Sequence, residues 1–302
     1  MEESGNLLLM IAAVIQQQQQ QSSVKANDGP HKDGGHLFGW LEPYWTTLNG
    51  YADYIVASLP DPKEQLCTDD FEGPSPHNAN LAAKGVVALS AWAETLRAAA
   101  DDDDNNGSHA FQALATAYAG NASAFAAEWH ALAFVPANNE TGEGAHYKKG
   151  YDDSSSWSLK YNLLPQYLLN IPDKPFDDSV ATLELDFYAT KIARYGIQLD
   201  SGAAYNPFAP FTKLDWSMWV AALALALPSS SSKLSKASES LSSYGNLFEI
   251  LTNTTFKFAN ECADRVPFSD WTHTTKPSVQ GFRARPVMGG IYAALLVPPL
   301  SY

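Results

Sequence analysis

Arginine is scarce in this chain and unevenly placed. Of the five, Arg265, Arg283 and Arg285 fall in one stretch, DRVPFSDWTHTTKPSVQGFRARP, together with Asp270 and Trp271. A guanidinium meets a carboxylate in bidentate fashion. The stretch therefore suits capture of a substrate carboxylate, or an ion pair with Asp264, Asp270 or Glu3 that locks the fold. Acids recur in comparable settings. Asp69 and Asp70 run just ahead of His77 and Asn78. A helix cap needs one such residue, and four exceed that need, so a role in a cleft is open beside the capping one. Adjacent residues face different ways, so Asp69 and Asp70 are not expected to form a dyad with each other. Asp215 precedes Trp216 at the head of an apolar run. There a first-turn acid is favoured by the helix dipole, and a substrate contact is the alternative. Glu2 and Glu3 open the chain, either as solvated helix-start acids or as a cleft acid or base. Asp152-Asp153, inside a serine run, reads as a cap or turn. No HExxH or CxxC occurs and the seven histidines are scattered, so neither a metal nor a cofactor is expected. The Ser230-x-x-Lys233 spacing lies in a serine run and is assigned no chemistry.

These residues need elements to position them, and the pattern is helical. Apolar residues recur at spacings of three and four, while period-2 strands are nearly absent. Helices are expected at 5–21, 38–59, 79–100, 108–133, 157–170, 178–195, 214–227, 237–252 and 283–297. Pro60 and Pro62, Asp177-Asp178 and Pro228 supply breaks and caps. Low complexity is confined to connections. The runs at 101–107 and 229–232 read as solvated hairpin inserts, and the glutamine tract at 16–21 is assigned no function. The connections alternate in character. Those leading into the odd-numbered helices are loaded with Asp, His, Asn, Arg and Trp: EESGN, CTDDFEGPSPHNAN, HYKKGYDDSSSWSLKYN, FAPFTKLDWSMW and the arginine stretch. The others are polar and simple. In an up-down array alternate connections lie at one end. With odd helices inside and even helices outside, the loaded segments would line one cleft.

Bulk properties narrow the partners. The chain has 302 residues, 45% hydrophobic and 17% charged, enough for a sizeable core. A net charge of −14 without a basic stripe argues against nucleic acid, and no apolar run is long enough to span a membrane. A small molecule is the expected partner. Leu7–Ile15 is flanked by Glu2, Glu3 and six glutamines, which does not suit a signal peptide. Yet four glycosylation sequons, at Asn106, Asn121, Asn139 and Asn253, lean towards secretion. Cys67 and Cys262 could pair or remain thiols.

The motifs EESGN, QLCTDDFEG…HNANLAAKG, WSLKYNLL…LLNI, KLDWSMW and RVPFSDWTHT…GFRARPVMGG resemble, in order and over nearly the whole chain, the C-terminal half of the fungal glutaminase A family. The resemblance implies an all-α fold, a six-hairpin (α/α)6 toroid similar to glycosidases. About nine of its twelve helices would lie within 1–302 as a single partial domain. It also implies secretion and hydrolysis of L-glutamine to L-glutamate and ammonia. In that family EESGN lies well inside the chain, so the expectation is an N-terminally truncated copy whose missing portion would be a natural partner. Such a copy could be an inactive or non-catalytic product. On this reading Glu3, Asp70 and Asp215 are the candidate catalytic acids, with a water activated by Glu3 or Asp70 preferred. Glu2, Asp69, His77, Asn78, Trp216, Asp270, Arg283 and Arg285 are the candidate substrate contacts. Glycoside hydrolysis by paired carboxylates on a sugar is the alternative, because the fold alone does not separate the two.

Overall fold

The computed structural model describes residues 1–26, 37–68, 73–102, 108–201, 210–227 and 241–297. Its contacts gather into two compact units, 1–131 with 169–176 and 132–168 with 177–302.

The first unit is built on a central helix. α1 (Glu2–Ala26) sets Leu8, Ile11 and Ile15 on one stripe, and that stripe packs against α3 (Ala79–Asp102). α3 is buried without interruption from Ala79 to Ala93, as expected for a helix that is apolar all round. The second expected helix divides: a 3-10 turn over Gly39–Tyr44, with Pro43 inside it, leads into α2 (Trp45–Ser58). α4 (Ser108–Ala133) is one-sided. Ala115, Tyr118, Ala122, Ala126 and Trp129 form its buried stripe, and the Trp129 indole donates to the Ala79 carbonyl at 2.7 Å. A short antiparallel pair, β1 (Glu64–Gln65) with β2 (Ser75–Pro76), precedes α3.

In the second unit the central element is α7 (Leu214–Ala226), buried along most of its length. It packs against α8 (Leu241–Glu261), a 3-10 segment over Pro286–Leu296 and another over Tyr161–Leu163. α8 again offers one stripe, including Leu247, Leu251 and Phe258. The fifth expected helix is reduced to that 3-10 turn and α5 (Pro165–Leu168). Pro165 has no N–H to donate, and the backbone ahead of it is taken up by a bridge between Ser158 and Asp200. α6 (Asp178–Ala189) is capped by Asp177, whose carboxylate accepts the Ser179 N–H at 2.8 Å. It stops short of the expected 195 because β5 (Ile192–Ala193) and β6 (Gly196–Ile197) turn back on each other, with Gly196 at φ +133°. β3 (Phe134–Val135) with β4 (His146–Tyr147), and β7 (Phe211–Lys213) with β8 (Trp271–His273), are the other ladders. The ninth expected helix is 3-10 in type and begins at Pro286.

α3 and α7 are thus enclosed while α4 and α8 bury one face, but α1, an odd-numbered helix, also buries only one stripe. Of the insert expected at 101–107, Asp101 and Asp102 still belong to α3 and the rest lies outside the described residues, as does the insert expected at 229–232. Neither cysteine is in a disulfide, and each is buried, Cys67 in the first unit and Cys262 in the second. Among the described residues no helix is long and apolar enough to cross a membrane.

Candidate active site

In the second unit the β7–β8 ladder decides what meets what. Its register sets Lys213 opposite Trp271, and the Leu214 N–H donates to the Asp270 carbonyl at 2.7 Å. That places Lys213, the residue before α7, against Asp270, the residue before β8. The Lys213 ammonium is ion-paired with Asp270 Oδ2, and both side chains are buried. Arg285 Nη1 reaches the same oxygen at 3.3 Å and keeps 40% of its side chain exposed. Asp270 Oδ1 has no hydrogen-bond partner among the described residues.

Asp215 lies in the first turn of α7 and is 1% exposed. Among the described residues neither carboxylate oxygen has a side-chain hydrogen-bond partner; only the amides of its own turn are near. Burial pushes its carboxyl up to about 6; the Lys213 charge opposes that rise, the Asp270 charge adds to it, and the nearby first-turn amides of α7 lower it. The 286–296 segment closes over it at Gly290. A Cβ there would stand 3.0 Å from Asp215 Cβ and 3.0 Å from Trp219 Nε1, so glycine alone permits the approach. Trp216 stacks on Tyr161 at 4.3 Å between centroids and 13° between planes, and its buried indole N–H has no acceptor among the described residues.

A buried network holds that aromatic pair. Glu184 accepts the Tyr147 N–H at 2.7 Å and the Tyr188 hydroxyl. Tyr188 in turn accepts the Lys160 N–H at 2.7 Å, one residue before Tyr161. The Lys160 ammonium donates to the carbonyls of Tyr147 and Ser158 and to the Ser158 hydroxyl at 3.0–3.1 Å. Complete burial pulls Lys160 down to about 8 and pushes Glu184 up.

The first unit carries a second polar centre. Lys84, the one charged residue in the enclosed stretch of α3, pairs with Glu2. It also donates to Asn6 Oδ1 at 2.9 Å, and Thr68 Oγ1 donates to Glu2 Oε1 at 2.7 Å. Glu2 Oε2 is buried without a partner among the described residues. Gly5 lets the lysine lie across α1, since a Cβ there would be 3.2 Å from Lys84 Cγ.

The sequence candidates therefore divide. Asp215, Trp216, Asp270 and Arg285 come together in one unit. Glu2 joins Lys84 in the other, while Glu3 points to solvent. Asn78 caps α3, its Oδ1 accepting the Leu81 N–H at 2.8 Å, and His77 Nδ1 sits 2.7 Å from Asp61. Arg283 pairs with Asp264 and donates to the Asp264 and Val266 carbonyls, the locking role rather than the binding one. Asp69, Asp70 and the sequon Asn106 lie outside the described residues. Of the other sequons, Asn139 and Asn253 are exposed and Asn121 is half-buried on α4. Lys84, Lys213 and Gly290 were not among the candidates. Two signals could have found the lysines. A lone charge in an apolar helix must be paired, and a cation at a helix N-terminus opposes the dipole.

A family model described as the Glutaminase A six helical-hairpin domain matches residues 1–295, nearly the whole chain. The chain belongs to that family. The all-α six-hairpin class and the resemblance read from the motifs are both borne out. Among curated proteins the chain is 28% identical over 261 residues to Glutaminase A of Aspergillus oryzae, covering 85% of this chain and 32% of that protein. It is 27% identical over 284 residues to the protein named "Probable glutaminase" of Arthroderma benhamiae, covering 85% of this chain and 28% of that one. The chain thus spans about a third or less of the length of these relatives.

Proposed function

We propose that the chain carries glutaminase chemistry, the hydrolysis of the L-glutamine side-chain amide to L-glutamate and ammonia, in the centre around Asp215. One observation carries the reading: a buried carboxylate with no side-chain partner among the described residues, in the first turn of the enclosed helix, next to an acid already held by two cations. A primary carboxamide complements such a set. Its N–H groups suit carboxylate oxygens such as those of Asp215, and its carbonyl suits an N–H donor such as the Trp216 indole. In the reaction Asp215 takes a proton from water as the water adds to the amide carbon, and returns it to the departing nitrogen. The Trp216 N–H is the candidate donor to the oxyanion. Asp270 remains charged between Lys213 and Arg285 and suits the α-ammonium group, and the solvent-facing guanidinium of Arg285 suits the α-carboxylate. Asp215 replaces Glu3, which faces water, as the preferred acid or base. The names of the two relatives support the substrate, and both belong to much longer proteins.

The test is ammonia release from L-glutamine by this chain, and by the chain joined to the remainder of the Aspergillus oryzae relative. Release by either form, lost on Asp215→Asn, is the expected result. Release unchanged by Asp215→Asn would remove this centre from the chemistry. No ammonia from either form, with sugar freed from an oligosaccharide instead, would favour paired-carboxylate glycoside hydrolysis. If neither product forms, the chain is the non-catalytic version of its family.

A further inference from the structure

The first unit holds a cavity of about 410 Å³ that the proposed chemistry does not use. Its walls are the C-terminal half of α1, the last turns of α3 and the segment 169–172. It lies some fourteen residues along α1 from Glu2, about 20 Å at helical rise. Two sequence features without an assigned role meet here. Gln16 and Gln19 come from the glutamine tract, and Asp101 opens the run of four aspartates.

The concavity is built in. Gln16 Nε2 donates to the Leu169 carbonyl at 2.8 Å, and farther along the same segment Phe176 sits edge-on to Trp129 at 5.0 Å. The third wall is thus fixed at both ends, giving a preformed site of ligand size. Its floor is apolar, with Ile15 and Ala91 buried. Its rim is acidic. Glu94 and Arg97 pair with each other, Asp101 is exposed, and Asp173 is near enough to raise the Glu94 carboxyl, which burial already raises. These acids outnumber the single guanidinium, and they lie where the carbonyl end of α3 adds partial negative charge. A half-buried carboxylate in such a cleft gains from an added cation.

We propose that this cavity binds a short aliphatic diammonium ion, with its ammonium groups on Glu94, Asp101 and the Gln16 and Gln19 carboxamides, and its methylenes over Ile15 and Ala91. The inference stands apart from the glutaminase reading. The probe is 1,4-diaminobutane, titrated into the full chain by calorimetry near neutral pH, with thermal melting in parallel and ionic strength held with potassium chloride. Saturable binding of one diamine and a raised Tm are expected. Glu94→Gln should weaken the affinity by about tenfold or more, as loss of a charge-assisted contact would. Ala98→Phe, which fills the cavity from its wall, should abolish binding. Absence of saturable heat overturns the proposal. So does binding that survives both variants, a Tm rise no larger than potassium chloride gives at the same ionic strength, or a preference for zwitterionic L-glutamine over the diamine. If Ala98→Phe fails to fold, Glu94→Gln alone decides the matter.

Discussion

At the scale of single residues, Asp215 ties stability to pH. Its folded carboxyl titrates near 6, raised chiefly by burial, against an ordinary aspartate value of 3.8 in the unfolded chain. A carboxyl raised on folding binds more protons in the native state across that window. Its ionisation therefore costs stability as pH rises from about 4 to about 6, and the loss is complete above it. Asp215→Asn removes the ionisation at nearly constant shape. The variant should be more stable than the parent at about pH 7.5 by on the order of 2 kcal/mol, with the gap closing towards pH 4. Urea unfolding at the two pH values measures this. A constant gap would mean that Asp215 titrates normally. The same substitution should abolish amide hydrolysis, a trade of stability against function expected of an active-site acid.

At the scale of elements, the site in the second unit depends on one close approach, and the first unit depends on one pair of helices. Gly290→Ala puts a methyl group 3.0 Å from Asp215 Cβ, so the 286–296 segment must lift from α7. Overpacking of this kind costs about 1–3 kcal/mol, and activity should fall with the Tm. Unchanged melting and turnover would show that the segment does not seat there. Between α1 and α3, Lys84→Met strands the Glu2 carboxylate in a nearly buried place, a loss of about 3 kcal/mol or more. Adding Glu2→Leu should recover most of it, and chemical denaturation of the two variants tests that order. The helices themselves were legible in the sequence, since a buried stripe on α1, α4 or α8 is a local spacing. Less legible were the fifth and ninth segments, whose apolar residues suit a 3-10 turn as well as an α-helix. In the site, Asp215, Trp216, Asp270 and Arg285 stood out as polar or aromatic residues beyond what capping needs. Lys213 did not, because its partner is set by the β7–β8 register, a pairing between strands far apart in sequence. Arg283 and Asn78 carried the same signal as the site residues, yet one ties Asp264 and the other caps α3.

At the scale of the whole molecule, charge is the dominant property. With 33 acidic and 19 basic side chains the net charge is −14, and three of the cations, Lys84, Lys160 and Lys213, are buried away from the surface. Four acids, Glu184, Asp200, Asp215 and Asp270, are buried as well, so the surface keeps nearly the whole acidic excess, and self-repulsion works against the folded state. Mobile ions screen exposed charges beyond a Debye length of about 10 Å at 0.1 M salt, and affect buried pairs far less. Lys213–Asp270 and Lys84–Glu2 should therefore persist while the general repulsion fades. Raising sodium chloride from about 0.02 M to about 0.2 M at about pH 7.5 should increase the Tm by a few degrees, with a smaller gain near pH 4.5, where protonation already removes negative charge. Differential scanning calorimetry at the two pH values measures both. A Tm that falls with salt at the higher pH would mean that exposed pairs such as Arg194–Glu261 and Arg283–Asp264 outweigh the net repulsion. That outcome is disfavoured, because exposed pairs contribute little each and the excess of acids over bases is large.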